Sequence, residues 1–370
     1  MRLWAVEVRV RILNEQNSIT MDAENFRIIA SSHRCQNSLV KVKALKSQMI
    51  IRYKPSQNSW SLLNLASHQI CEINSRNLKF DAQRMFINRK QLPGKILLLS
   101  HKLNFDVIAV LDLEKYLVGV LAKEMPAGFP LEAFKAQAIA SRSYAMKKIM
   151  KSQEREFDLE SGVADQMFEY TSGTAKIQTA VEETKSLVLE NQKGHLFSVY
   201  YHADCGGRTE EPSEVWGSNE KIGSVVDDSC PLESHSSWNF AISKFELSAR
   251  LRVILQLGDA QILSIEDFEN TSSGRKKSLK FVLDDHSTRI ISGQQLRNIL
   301  GFEKLKSTLF AFNQHGADFV FEGKGHGHGV GMCQWGARHL ALSGEAYPNI
   351  LKHYFPRANL ARLQQNTKLD

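Results

Sequence analysis

No run of apolar residues in this chain is long enough to cross a bilayer; the longest, such as Ile96-Leu-Leu-Leu99, are strand-sized. Proline is scarce, at 8 in 370 residues. With 42% hydrophobic and 24% charged residues, a disordered or collagen-like chain is excluded. Cysteines are few, and the five (Cys35, Cys71, Cys205, Cys230 and Cys333) are odd in number and widely spread, so they do not read as a disulfide framework. The N-terminal MRLWAVEVRVRIL is interrupted by Glu7, Arg9 and Arg11 and lacks the apolar region of a secretory leader. On that ground either the protein stays in the cytoplasm or the chain begins further upstream. There is no polybasic block: 47 basic against 40 acidic residues leave a charge of +7 spread along the chain. A mixed solvated surface is the main reading, attraction to an anionic polymer the lesser one, and no nucleic-acid partner is expected.

What is present is length enough for two or three lobes, and two kinds of periodicity. Up to about residue 110, segments such as 6–12, 39–44, 49–53, 94–100 and 105–111 alternate apolar and polar positions and predict strands. A helical block follows over 113–152, broken at Met125-Pro-Ala-Gly-Phe-Pro130, where two prolines stop one helix and Pro130 suits the first turn of the next. Beyond it the pattern predicts a short helix at 179–184, strands at 186–189 and 196–201, and a polar loop region over 202–240. Strands around a helix near 294–300 follow, then helices at 337–343 and 348–354. No solenoid repeat is present.

Four constellations carry chemistry. Glu124 lies between the apolar run Tyr116–Ala122 and a proline-broken turn, where partial desolvation would suit a general acid; the plain alternative is a surface glutamate beside Lys123. Arg142 falls on the apolar stripe of the alanine-rich helix LEAFKAQAIASRSYAMKKIM, so it either meets a polar or anionic partner or covers packing surface with its stem. His202 and Cys205, spaced H-x2-C, and Cys230 and His235, spaced C-x4-H, offer two histidines and two cysteines for a structural zinc, or are simply neighbours in a loop.

The fourth is GKGHGHGVGMCQWGA, residues 323–337. Lys324 precedes the glycines, which excludes a phosphate loop, and a dinucleotide fingerprint lacks its downstream acidic partner. His326 and His328 alternate and would share one face of an extended chain, compatible with a metal or with two imidazoles lining a groove. The stretch reads as a wall that a polar ligand approaches closely, with Trp335 as a stacking platform, or as a turn packed against the alanine-rich helix.

Three segments together, LDLEKYLVGVLAKEMPAGFPLEAFKAQAIASRSYAM, FSVYYHADCGGRTEEPSEVWG and GKGHGHGVGMCQWGARHLALSGEAYPNILKHYFP, resemble the sporulation stage-II protein D / LytB (amidase enhancer) family, in that family's order. AVEETKSLVL and ISGQQLRNILG match between them, and the resemblance covers roughly residues 95–357. It implies an α+β fold of mixed strands and a few helices, with a β-rich N-terminal region over 1–94. A two-lobed catalytic region with a substrate groove would span 95–357, and a tail 358–370. It also implies a peptidoglycan lytic transglycosylase of the cell envelope, acting in wall remodelling or division. The family's A-x-E-M-P acid falls on Glu124 and its helix arginine on Arg142.

By that resemblance Glu124 protonates the glycosidic oxygen between N-acetylmuramic acid and N-acetylglucosamine. Its carboxylate then takes the proton of the muramic acid C6 hydroxyl as O6 closes on the anomeric carbon. Water is not the nucleophile, so a second carboxylate is not required, and neither is a cofactor. Tyr201, His202, His326, His328, Gln334 and Trp335 would bind the glycan strand. Three positions depart from the family: Cys333 replaces a serine, His326 stands where other residues are common, and Ser141-Arg-Ser143 replaces Ala-Arg-Thr. Two other readings compete. One is a non-catalytic peptidoglycan-binding enhancer of an N-acetylmuramoyl-L-alanine amidase, which would need the groove but not the acid. The other is a zinc hydrolase built on His202, Cys205, Cys230 and His235, which lacks an HExxH-type helix and an evident base.

Overall fold

The computed structural model describes residues 6–29, 47–228, 230 and 236–364 of the 370. The protein is α+β. Among the described residues eight helices form: α1 (Leu113–Glu124), α2 (Leu131–Lys151), α3 (Ala175–Glu183), α4 (Pro212–Trp216), α5 (Lys244–Leu255), α6 (Gly293–Leu300), α7 (Gln334–Leu342) and α8 (Tyr347–Tyr354). The chain divides into two units. One holds residues 1–128 and 145–185, the other 129–144 and 186–368, so the boundary falls inside α2.

In the first unit the period-two segments pair into two six-stranded sheets. One runs, in spatial order, Leu159–Glu160, Glu7–Gln16, Phe105–Asp112, Lys95–Ser100, Asn77–Asp81 and Arg27–Ile29. The other runs Ile70–Asn74, Ser59–Asn64, Ser47–Lys54, Ser18–Glu24, Arg84–Ile87 and Lys90–Leu92. Their inward positions share one core, with Trp60 edge-on to Phe105 at 5.1 Å and Met21, Ile51, Phe80 and Leu98 around them. Phe105–Asp112 leads directly into α1, whose first turn is capped by Asp112 accepting from Glu114 N and Lys115 N. Cys71 in this unit is disulfide-bonded, although the five cysteines do not read as a framework; spacing along the sequence says nothing of distance in space. Cys205, Cys230 and Cys333 are free and buried.

The second unit has two cores. One gathers Ala136, Ile139 and Ala140 of α2 with Leu189, Val199, Val330, Met332, Ile350 and Phe355. The other fills the segment between Trp238 and Phe321, where strands Ser237–Ser243, Asp318–Lys324 and Phe310–His315 form one three-stranded sheet. Ile262–Asn270, Lys276–Leu283 and Thr288–Ser292 form a second.

Most expected elements form, with differences that have local causes. The helix expected at 179–184 begins earlier, at Ala175, because the Thr174 side chain caps it by accepting from Ile177 N. The strand expected over 196–201 is regular only at Tyr201–His202. Before that, the backbone is irregular and pairs singly, as in Phe197 N to Leu189 O at 2.9 Å. Helix α5 lies where strands were expected, and its Ser243-Lys-Phe-Glu246 start is a capping signature with Ser243 accepting from Glu246 N. The expected strand at 39–44 lies outside the described residues.

Candidate functional site

Glu124 is the last residue of α1 and is half-buried. Its Oε1 accepts from Met167 N at 2.7 Å, so the carboxylate is fixed by the extended segment 166–168 of the same unit. Just behind it, fully buried Tyr116 donates to Gln166 Oε1 at 2.9 Å, and burial raises the Tyr116 pKa. That segment holds Phe168 against Gly119: a Cβ there would come within 2.6 Å of the ring, so α1 can lie on it only with glycine at 119.

In the second unit, the first part of α2 buries a row of polar side chains. Arg142 is fully buried and its Nη1 donates to Leu187 O at 3.1 Å, so it is paired within the protein rather than covering surface. Ser143 donates to Ile139 O and accepts from Leu189 N, and Gln137 donates to Ser141 and accepts from Gln334 at 3.3 Å. Gln334 is therefore buried in a side-chain network. Trp335 packs edge-on to Phe129 at 5.1 Å, with the Arg338 guanidinium 5.3 Å from its ring.

The glycine-histidine stretch approaches its own protein. It is not an extended strand: the strand before it ends at Lys324, the next is Met332–Cys333, and Gly325, Gly327, Gly329 and Gly331 all have positive φ. A Cβ on Gly327 would lie 2.6 Å from the His202 Cβ, and one on Gly331 only 2.2 Å from Tyr200 O. The stretch thus packs on the 200–206 segment, and through Val330 and Met332 it shares a core with Ala136, Ile139 and Ala140 of the alanine-rich helix, as one of the two readings expected. Asp204 and His326 pair through their backbones at 2.9 and 2.8 Å.

The side chains between those glycines do build a wall. His202 is buried with Nδ1 on Val330 O at 3.1 Å, leaving Nε2 without a hydrogen-bond partner in the protein. The Nδ1 of His328 accepts from Val330 N at 3.0 Å, which leaves its Nε2 to carry the proton. Burial, reinforced by Arg297 and Arg275, lowers the His328 pKa to about 3. Burial, with His328 next in weight, takes His202 well below 6.5. Both rings are therefore neutral near pH 7. They lie 5.6 Å apart, and Trp216, partly exposed at the end of α4, packs at a tilt against His328 at 5.0 Å and Tyr200 at 4.9 Å. Sequence reading found the histidines but missed Trp216 and Tyr200, although both stand in the quoted segment FSVYYHADCGGRTEEPSEVWG. Tyr201 is half-buried beside the wall and His326 half-buried further along it.

Beneath lies a buried cluster that the spacing only partly disclosed. Cys205, Asp227, Cys230 and Cys333 bring one ligand-type atom each within 4.8 Å of one another. His202 is not part of that group, and His235 lies outside the described residues. Cys333, whose motif position suggested only a departure from serine, supplies a third sulfur. Asp227, fully buried, accepts from Tyr354 Oη at 2.8 Å and lies 3.3 Å from Cys205 Sγ.

The fold and these sites define an α+β protein with an anchored carboxylate at a helix end in one unit and an aromatic-imidazole wall in the other. A family model described as Stage II sporulation protein, SpoIID, matches residues 101–190, and a domain of unknown function, DUF8618, matches 227–331. An uncharacterized protein of Brachyspira hyodysenteriae is 30% identical over 282 residues, 75% of this chain and 74% of that protein. The amidase enhancer of Bacillus subtilis is 29% identical over 290 residues, 66% of this chain and 40% of that protein's length. The Bacillus amyloliquefaciens stage II sporulation protein D is 26% identical over 271 residues, 68% of this chain and 74% of that protein. The chain belongs to the SpoIID/LytB (amidase enhancer) family. That membership assigns it a role in cell-wall remodelling. None of the described helices is long and apolar enough to cross a membrane.

Proposed function

We propose that the chain is a lytic transglycosylase of peptidoglycan, acting in the cell envelope, with Glu124 as its single acid and base. The observation that carries the reading is the placement of Glu124 itself: half-buried at the end of α1 and oriented by the Met167 amide. An acid held in one rotamer loses little freedom when a glycosidic oxygen comes within reach.

In the first step the Glu124 carboxyl proton goes to the oxygen between N-acetylmuramic acid and N-acetylglucosamine as the bond from C1 to that oxygen breaks. In the second, the carboxylate accepts the C6 hydroxyl proton while O6 bonds to C1. Glu124 ends protonated as it began, and the products are a 1,6-anhydro end and a free 4-hydroxyl. Arg142 serves as a positioning residue from within α2. For the sugar-contacting surface we propose Tyr201, His326, His328 and Trp335, and we add Trp216; His202 and Gln334, expected there too, lie buried and would support it from behind. The Cys71 disulfide is in keeping with an oxidising compartment outside the cytoplasm.

The test uses purified full-length protein and glycan strands with and without stem peptides, the ends being read by mass spectrometry. New 1,6-anhydro ends are expected, reduced about 10²–10⁴-fold in Glu124→Gln, the usual span for losing an acid-base group. Binding of the strands with no new ends under either condition would leave a glycan-binding enhancer of an N-acetylmuramoyl-L-alanine amidase as the better reading. Ordinary reducing ends would mean hydrolysis.

A further inference from the structure

The buried sulfur cluster has no part in that chemistry, yet it is built in detail. Its three cysteines come from three separate stretches: the turn after strand Tyr201–His202, the approach to strand Ser237–Ser243, and the residue that caps α7. Cys230 and Cys333 sulfurs stand 3.6 Å apart, far beyond the roughly 2 Å of a disulfide. Three thiolates and one oxygen at about 2.3 and 2.1 Å from a zinc ion would be spaced by about 3.6–3.8 Å. The observed separations, 3.6 Å between those sulfurs and 3.3 Å from Cys205 Sγ to Asp227 Oδ2, with all four ligand atoms within 4.8 Å of one another, lie close to such a set of edges.

Two further features point to a cation among thiolates. Backbone amides aim at the sulfurs: Cys205 N and Gly336 N at Cys333 Sγ, and Gly207 N at Cys205 Sγ, each at 3.3 Å. Such donors favour S⁻ over S–H, and α7 adds its N-terminal dipole at Cys333. Asp227 is fully buried and its Oδ1 has no hydrogen-bond partner in the protein, with His353 Nε2 3.8 Å away. An uncompensated carboxylate oxygen at that depth is costly. Gly336 is also explained: a Cβ there would lie 2.5 Å from Asp227 Oδ2 and 2.0 Å from the Tyr354 hydroxyl oxygen.

We propose that Cys205, Cys230, Cys333 and Asp227 together bind one structural zinc ion, which ties the loop residues Cys205, Asp227 and Cys230 to the start of α7. Thiolate-rich tetrahedral donors select zinc among the common divalent ions, and the absence of an open side keeps the ion structural. The buried guanidinium of Arg275, which donates to Cys205 O at 2.6 Å, offsets part of the negative charge of such a centre.

The test needs no glycan. Full-length protein from zinc-replete medium, purified without chelator, should carry about one zinc per chain by elemental analysis. Cys230→Ser and Cys333→Ser should lose it. Because either variant may fold poorly, wild-type protein is also stripped and titrated with cobalt(II). An intense near-ultraviolet sulfur-to-cobalt band should appear, and the melting temperature should fall on stripping and recover with zinc. Wild-type protein that stays folded, holds no zinc, gives no cobalt band and shows three titratable thiols would overturn the proposal. So would iron in place of zinc, or zinc that persists undiminished in both serine variants. Failure of Glu124→Gln to alter cleavage would leave the zinc result standing.

Discussion

At Gly327 two constraints coincide. Its φ of 116° lies where L side chains rarely go, and a methyl group would sit 2.6 Å from the Cβ of His202. Neither can relax without moving the histidine or the backbone pairing beside it. Gly327→Ala should therefore destabilise the protein by about 2–4 kcal/mol, read as a drop in denaturation midpoint. A change below a few tenths would mean that the stretch is looser than the geometry requires. Trp216 is the opposite kind of residue. It is 43% exposed and its ring rests on Tyr200 and His328 rather than filling a core. Trp216→Ala should leave thermal stability nearly unchanged and raise the Kd for glycan strands about tenfold, which corresponds to one lost stacking contact. Equal affinity in wild type and variant would take Trp216 out of the sugar surface.

Among elements, those with a capping residue and a clear period were legible in the sequence. The end of α1 at Glu124, the break through Pro126 and Pro130, and α2 with Arg142 on its buried stripe could all be read directly. Helix α5 was missed despite its Ser243–Glu246 start. Its Phe245, Val253 and Ile254 are exposed and blur the Leu247, Leu251, Leu255 spacing that faces the core. The glycine-histidine stretch was legible as a close-approach motif but not for what it approaches. Contacts to Tyr200, His202 and Arg275 are long-range, and no local period records them. The sulfur cluster was half legible for the same reason: Cys205, Asp227 and Cys230 share a loop region, whereas Cys333 joins them only through the fold.

For the whole molecule, the imidazoles set the response to acid. His202, His326 and His328 all have folded-state pKa values below 6.5, with burial the first cause in each case. Below pH 6.5 the unfolded chain takes up protons that the folded one refuses, so stability is full above that pH and is lost as pH falls toward 3. Asp204, raised to about 6 by burial, and Glu190, also raised by burial, act in the opposite sense over part of the range. The comparison that isolates one group is wild type against His328→Gln: the fall in urea midpoint between pH 7.5 and pH 5 should be smaller in the variant. An identical fall would show that His328 is free to protonate in the folded state. The 227–331 segment has a different consequence. Within it, strands Ser237–Ser243 and Asp318–Lys324 lie side by side with Ser237 opposite Lys324, and the core they enclose is separate from the one around Val330 and Phe355, to which the segment contributes only Cys230 and Val330. A lobe that departs and returns through neighbouring strands can vary at its far end while its base stays anchored, here by Arg275 on Cys205 O and Ser273 on Glu210.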